Sequence, residues 1–203
     1  KIRDAPLDAA VPLFRDFAHA GAGQRHVLVH DTDADGLSAG VLLELALQRL
    51  GHRDVVRFLP HKSRNVWSTE ARTRLNAVSP QRLYVLDLGV RAEALLPGIP
   101  TCFIDHHALD DIPADALVLS SYGWQPSPNT SLLTWQLCHA LTDLADRDWL
   151  AAIGTIGDLG NETDFPYLTA IKKTYGMAAI REIVSLVNAG RGVCPELAVL
   201  APA

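Results

Sequence analysis

The sequence has few cysteines and no long apolar run, and each absence excludes a class of protein. Only 3 of the 203 residues are cysteine, and none forms a CxxC pair, which argues against a disulfide scaffold or a zinc ribbon and favours a reducing cytoplasm. No apolar run approaches the roughly 18 residues that cross a bilayer. The N-terminal stretch also lacks the order of a signal peptide. We therefore expect a cytoplasmic protein with no membrane partner.

Charged residues are also scarce, at 20% of the chain, and acidic residues outnumber basic ones by 23 to 18, a net charge of −5. Proteins that bind nucleic acid usually carry a basic surface. The net charge taken alone therefore counts against that function. The length of 203 residues corresponds to one large or two small domains, and the 48% of hydrophobic residues is enough for a sizeable core.

The spacing of apolar residues predicts an α/β protein. Strands are predicted at 25–30, 55–59, 82–86, 101–104 and 118–119. Helices are predicted at 7–20, 37–50, 70–78, 129–144, 146–155, 166–175 and 177–189. Alternating strands and helices predict a doubly wound, mainly parallel sheet flanked by helices. This core occupies about residues 25–120, and a helical portion follows at about 129–190.

Acidic residues and histidines follow three of the predicted strands. They are Asp31, Asp33 and Asp35 after the first strand, Asp87 after the third, and Asp105, His106 and His107 after the fourth. Open parallel sheets bind ligands outside the carboxyl ends of their strands. We therefore expect these side chains to meet at one edge of the sheet. Asp158, at the end of a glycine-containing helix, can join them there.

So many carboxylates in one place repel each other unless cations neutralise them. Oxygen-rich sites with one or two imidazoles suit Mn²⁺ or Mg²⁺ better than structural zinc. Two such ions would clamp the attacking and leaving oxygens of a phosphate ester and generate hydroxide near neutral pH. The combined charge of five of these carboxylates equals the net charge of the whole chain. The acidity of the chain therefore no longer argues against an anionic substrate. The five are Asp31, Asp33, Asp35, Asp87 and Asp158.

Three alternatives explain the first acidic segment differently. Asp31-x-Asp33-x-Asp35-Gly36 matches half of an EF-hand loop, but the twelfth position is Leu42 where that loop needs glutamate. The aspartates alone are also compatible with a solvated turn. Gly36-Leu-Ser38-Ala-Gly40 fits the nucleophile elbow of serine hydrolases, yet the acidic loop separates Ser38 from its strand. Ser38 is instead expected in the first helical turn, where its hydroxyl or N–H group can meet a phosphate.

Four segments together resemble the motifs of the DHH phosphoesterase family, in order and approximate spacing. They are Asp31-Thr-Asp-Ala-Asp-Gly36, Leu86-Asp87-Leu-Gly89, Ile104-Asp105-His106-His107 and Gly157-Asp158. The three alternating aspartates are most similar to the RecJ-type exonucleases. The resemblance covers about residues 25–165. It implies a two-metal centre, commonly manganese with magnesium as the alternative, that hydrolyses phosphodiester or phosphoanhydride bonds.

The resemblance also implies a role for each matching residue. The implied metal ligands are Asp31, Asp33, Asp35, Asp87, His106 and Asp158. Asp87 would bridge the two ions, and His107 would contact the scissile phosphate and assist protonation of the leaving oxygen. Asp105 would orient a neighbouring histidine.

A basic loop at the mouth of the acidic site is a candidate for substrate binding. His61, Lys62 and Arg64 lie where RecJ-type proteins have a proline- and arginine-containing loop, and such groups suit phosphate positioning. A solvated charged loop explains them equally well. Trp67 replaces part of a glycine-tyrosine element of those proteins, and either stacks on a base or packs in the core.

The resemblance therefore predicts a catalytic domain over residues 1–203, without the second, substrate-gripping domain that family members usually carry. The expected substrate is single-stranded DNA, RNA or a short oligonucleotide. Cyclic dinucleotides, pyrophosphate and polyphosphate are alternatives within the family. A non-catalytic scaffold of replication complexes is the alternative from another class, although here every proposed ligand position holds a competent residue.

Overall fold

The computed structural model describes residues 7–60, 65–109, 111–159 and 166–191. Five strands form one sheet: β1 (His26–His30), β2 (Val55–Phe58), β3 (Arg82–Leu86), β4 (Thr101–Asp105) and β5 (Ala116–Ser120). Seven helices are described: α1 (Leu7–His19), α2 (Ala34–Arg49), α3 (Thr69–Ala77), α4 (Thr130–His139), α5 (Asp148–Leu159), α6 (Pro166–Tyr175) and α7 (Met177–Gly190). A 3₁₀ turn at Ala145–Arg147 precedes α5.

The five strands are all parallel, in the order β2-β1-β3-β4-β5. This arrangement confirms the predicted α/β class and the parallel sheet. Because all the strands run the same way, their carboxyl ends lie along one edge. The register pairs His30 with Leu86 and Leu86 with Ile104, so the residues that follow β1, β3 and β4 begin side by side.

Both faces of the sheet are covered, and this explains the nearly continuous apolar strands. Successive side chains of a strand point to opposite faces. Leu28 and Tyr84 pack with residues of α1, α2 and α4 on one face. Val29 and Val85 pack on the other face with residues of α3 and of the segment between β3 and β4. A third cluster joins α2 and α4 to α5, α6 and α7.

Helix α2 begins three residues earlier than predicted, and this changes the environment of the acidic segment. Asp33 is the N-cap residue, and its Oδ1 accepts hydrogen bonds from the backbone N–H groups of Asp35 (3.1 Å) and Gly36 (2.9 Å). An aspartate in this position satisfies N–H groups that the helix leaves free. The segment predicted as a loop is therefore partly helical, and Asp35 lies in the first turn of α2.

Two other predicted helix boundaries are wrong. Helix α4 ends at His139 rather than at 144, because the chain turns before the 3₁₀ segment. Helix α5 continues to Leu159 rather than stopping at 155, so Asp158 is in its last turn. Among the described residues, no helix combines the length and apolar character needed to cross a membrane.

The buried side chain of His26 makes the stability of this fold depend on pH. Burial lowers its pKa below the usual 6.5, against the opposing effect of the hydrogen bond that Nε2 donates to the Gly21 carbonyl (2.8 Å). The unfolded chain therefore binds this proton before the folded chain does. The stability that His26 contributes is fully present above pH 6.5 and is lost as the pH falls below that value.

We predict that His26→Gln reduces the loss of unfolding free energy between pH 7.5 and pH 5.5, because glutamine keeps a donor but does not titrate. Urea denaturation at the two pH values measures this loss. His19→Gln, at an exposed position, is the matched control and should behave as the parent protein does. An equal loss in the parent and in His26→Gln would contradict the prediction.

Candidate metal centre

The carboxyl edge of the sheet gathers acidic side chains and histidines from separate elements. Within the described residues, three overlapping groups have ligand atoms within 4.8 Å of one another. They are Asp31, Asp33 and Asp87; Asp35, His106 and Asp158; and Asp87, His106 and His107. Every residue that the sequence analysis named as a metal ligand belongs to at least one group, and His107 also belongs to one.

His106 belongs to two of these groups, and Asp87 joins the third group to them. The Nε2 atom of His106 lies 3.4 Å from Asp87 Oδ1 and 3.8 Å from Asp35 Oδ2. Its Nδ1 atom lies 3.7 Å from Asp158 Oδ2. The imidazole therefore stands among three carboxylates that come from α2, α5 and the end of β3.

Asp35 is held by the N-terminus of α4. Its Oδ1 accepts hydrogen bonds from Asn129 Nδ2 (2.6 Å) and from the Ser131 N–H (2.7 Å), and its Oδ2 accepts from the Thr130 N–H (3.0 Å). Burial raises the pKa of Asp35 to about 7, although the hydrogen bonds from Ser131 oppose the increase. These donors fix the position of the side chain, but burial still disfavours its charged form.

Asp87 combines a buried carboxylate with an unusual backbone conformation. It is buried and has φ of +61°, a left-handed conformation that side chains other than Asn and Asp rarely adopt. Its Oδ1 accepts a hydrogen bond from Thr130 Oγ1 (3.0 Å). Burial, and then the neighbouring carboxylate of Asp35, raise the pKa of Asp87 well above its usual range. Both effects would be relieved by a cation.

Asp105 differs from Asp35 and Asp87 because the donors around its two oxygens, His107 among them, lower its pKa instead of leaving it raised. Its Oδ1 accepts from the N–H groups of His106 and His107 (2.8 Å each) and from His107 Nδ1 (2.7 Å). Its Oδ2 accepts from the N–H groups of Leu88 (3.1 Å) and Gly89 (2.8 Å). Burial would raise the pKa of Asp105, but the hydrogen bond from His107 and its charge lower it overall.

His107 is oriented by Asp105 and remains accessible. The hydrogen bond from Nδ1 to Asp105 raises the pKa of His107, against the effect of burial, and 54% of its side chain is exposed. The protonated imidazole is therefore favoured, and Nε2 is the nitrogen not engaged by Asp105.

Two glycines allow α5 to bring Asp158 to this edge. A Cβ at Gly154 would overlap Ser131 Oγ and lie 3.0 Å from Asp35 Oδ1, and one at Gly157 would lie 2.7 Å from the Cβ of Ala34. The close approach of α5 to α2 and α4 thus needs glycine. Burial raises the pKa of Asp158, while the charge of His106 opposes this.

Other predicted site residues lie elsewhere or outside the described part. Ser38 is buried in the second turn of α2 and lines a groove between α2, α5 and α7, so its contact with a phosphate stays a prediction. His61, Lys62 and Arg64 lie outside the described residues. Trp67 is buried and stacks on Phe103, with centroids 6.2 Å apart, which favours the packing interpretation.

Two sets of site residues were missed by sequence reasoning. One is the start of α4, Asn129-Thr130-Ser131, whose polar side chains were interpreted only as a helix beginning. The other is Arg191, at the end of α7, whose Nη2 lies 2.6 Å from Asp31 Oδ2 and 3.3 Å from Asp33 Oδ2. A run of small polar residues before an apolar helix is a signal for the first. Nothing local in the sequence indicates the second.

Comparison with solved structures identifies the fold. An exonuclease RecJ bound to manganese superposes with a TM-score of 0.69 at 22% identity, over 98% of this chain and 60% of that one. RecJ from Thermus thermophilus in complex with Mn²⁺ has a TM-score of 0.65 at 19% identity, over 100% of this chain and 36% of that one. The DHH domain of a protein described as belonging to a family of ribosomal proteins has a TM-score of 0.71 at 16% identity, over 96% of this chain and 56% of that one.

The chain therefore has a RecJ-like DHH fold, as the four motifs predicted. It spans less than two thirds of the length of each of these three proteins. A scan against models of protein families finds no match, and a search of curated proteins finds none.

We predict that Asp105→Asn lowers the free energy of unfolding by about 3 kcal/mol, because an amide cannot accept from donors on both sides of the carboxylate. Chemical denaturation without metal measures this change. Asp115→Asn, at an exposed position before β5, is the control and should change stability little. A stability of Asp105→Asn equal to that of the control would contradict the structural role assigned to Asp105.

Proposed function

We propose that this chain is the catalytic part of a divalent-metal-dependent phosphoesterase that cuts phosphodiester bonds in single-stranded DNA, RNA or short oligonucleotides. The observation that carries the proposal is the meeting of five aspartates and two histidines at one sheet edge, in groups within 4.8 Å. Function depends on the site rather than on the fold, and this site has the chemistry that phosphate hydrolysis requires.

The residues present fit a pair of divalent cations. The donors are carboxylate oxygens and imidazole nitrogens, a set that suits Mn²⁺ or Mg²⁺. Burial is the main cause of the raised pKa values of Asp35 and Asp87, and a bound cation would favour the charged form of both carboxylates. The proposed ligands are Asp31, Asp33, Asp35, Asp87, His106 and Asp158. Asp87 belongs to two of the three groups, which supports a bridging role.

Divalent cations bound there would neutralise the carboxylates and supply Lewis-acid catalysis for attack of water on phosphorus. The protein's own part is positioning and proton transfer. Asp105 holds Nδ1 of His107 at 2.7 Å and favours its protonated form. His107 can therefore donate the Nε2 proton to the leaving oxygen while its positive charge attracts the phosphate.

The choice of substrate rests on similarity to exonucleases named RecJ. The alternating aspartates Asp31, Asp33 and Asp35 resemble those of RecJ-type proteins, and two manganese-bound RecJ structures share the fold. Manganese is proposed on the same basis. The location in the cytoplasm is proposed from the low cysteine content, and Cys102 and Cys138 are free and buried.

We predict that Asp87→Asn lowers Mn²⁺-dependent hydrolysis by more than about 100-fold, because the amide cannot replace the carboxylate as a ligand. Asparagine is the appropriate change, since it tolerates the left-handed backbone of Asp87 and alanine does not. The measurement uses 5′-labelled single strands of DNA and RNA, dinucleotides, cyclic dinucleotides and pyrophosphate, each with Mn²⁺ and with excess EDTA.

Asp115→Asn is again the matched control and should keep the parent's activity. Full activity of Asp87→Asn, or of the parent in excess EDTA, would contradict the metal mechanism. Cleavage confined to cyclic dinucleotides or pyrophosphate would keep the mechanism and replace the substrate class. Affinity for nucleic acid with no turnover of any substrate would favour a non-catalytic binding protein.

A further inference from the structure

An arginine side chain occupies one of the three candidate metal groups. Arg191 Nη2 donates a hydrogen bond to Asp31 Oδ2 at 2.6 Å and lies 3.3 Å from Asp33 Oδ2. Asp31 and Asp33, with Asp87, form the most acidic of the three groups. The guanidinium therefore sits where a cation bound to that group would take its ligands.

The position of Arg191 is fixed by the packing of α7. Asn188, one turn earlier on the same helix, accepts a hydrogen bond at Oδ1 from the Ala34 N–H (3.0 Å) at the start of α2. Ile180 and Val184 of α7 pack in the cluster that includes residues of α5. Residues three or four apart lie on the same face of a helix, so the face that packs on α5 and α2 also carries Arg191. Only 27% of the Arg191 side chain is exposed.

The group formed by Asp35, His106 and Asp158 has no arginine among the partners described for it. Asp35 is held by the N-terminus of α4, and Asp158 lies beside His106. The donors to Asp35 are a neutral amide and backbone N–H groups, which do not repel a cation as a guanidinium does. These two groups therefore differ in the contact that an arriving ion must displace, which is a guanidinium only at Asp31 and Asp33.

We propose that the Arg191 guanidinium competes with a divalent cation for Asp31 and Asp33, so that Arg191 lowers the metal affinity of this group. The inference rests on the metal centre put forward under the proposed function. A guanidinium and a dication that share one carboxylate pair repel each other. Metal binding must then break the contacts of Nη2 with both aspartates and release the side chain from them.

The test is Arg191→Gln, studied by calorimetric titration with Mn²⁺ alone. The expected result is Mn²⁺ binding at the weaker of two sites about tenfold tighter than in the parent, with the other site changed less, because one competing charge is removed. Arg181→Gln removes the same charge from an exposed position of α7. It is the matched control and should leave both affinities unchanged.

Thermal denaturation separates competition from a merely structural role. Without metal, Arg191→Gln should lower Tm, since Asp31 and Asp33 lose their counter-charge. The rise in Tm on adding Mn²⁺ should be larger in the variant than in the parent. A purely structural role would lower Tm equally with and without Mn²⁺ and would overturn the inference.

The remaining outcomes are also decisive. Unchanged or weaker Mn²⁺ binding by Arg191→Gln would overturn the inference and leave the metal centre in place. Equal tightening in Arg181→Gln would also overturn it, because net charge rather than contact would then be the cause. If neither the parent nor Arg191→Gln bound Mn²⁺, the metal centre itself would be contradicted and the inference with it.

Discussion

The burial of several like charges at one edge of the sheet is the constraint on which the rest of this structure depends. A parallel sheet places the carboxyl ends of β1, β3 and β4 side by side, and in this sequence each of those ends is followed by an aspartate or histidine. Removing carboxylates from water costs several kcal/mol each unless an opposite charge compensates. The raised pKa values of Asp35 and Asp87 record that cost. A divalent cation is the compensation that this set of donors fits.

The elements around the site each reduce the cost by a different means. The N-terminus of α4 supplies N–H groups and the Asn129 amide to Asp35, and the Thr130 hydroxyl reaches Asp87. Asp105 accepts hydrogen bonds from the two histidines that follow β4 and from the turn after β3. Its carboxylate can therefore stay charged and orient His107. Arg191 balances Asp31 and Asp33 from the end of α7. The helical C-terminal portion is therefore part of the site as well as of the core.

The strands and most of the site could be predicted from the sequence because their signals are local. Apolar runs mark the buried strands, and the acids at the strand ends follow from the position of ligand sites in parallel sheets. The start of α2 was placed too late because Asp33 caps the helix, and an aspartate before a helix has the same local pattern as one in a loop. The partners of Asp35 and Asp31 are 94 and 160 residues away in the chain. Such contacts depend on how α4 and α7 pack, which no local pattern specifies.

Anomalous diffraction at the manganese absorption edge, from crystals of this chain soaked in Mn²⁺, tests the central claim most directly. The account predicts anomalous peaks among the carboxylates of Asp31, Asp33, Asp35, Asp87 and Asp158 and the imidazole of His106. It also predicts that Arg191 withdraws from Asp31 when an ion occupies that group. Crystals that show no peak at the carboxyl edge of the sheet, or peaks only on other surfaces of the protein, would contradict it.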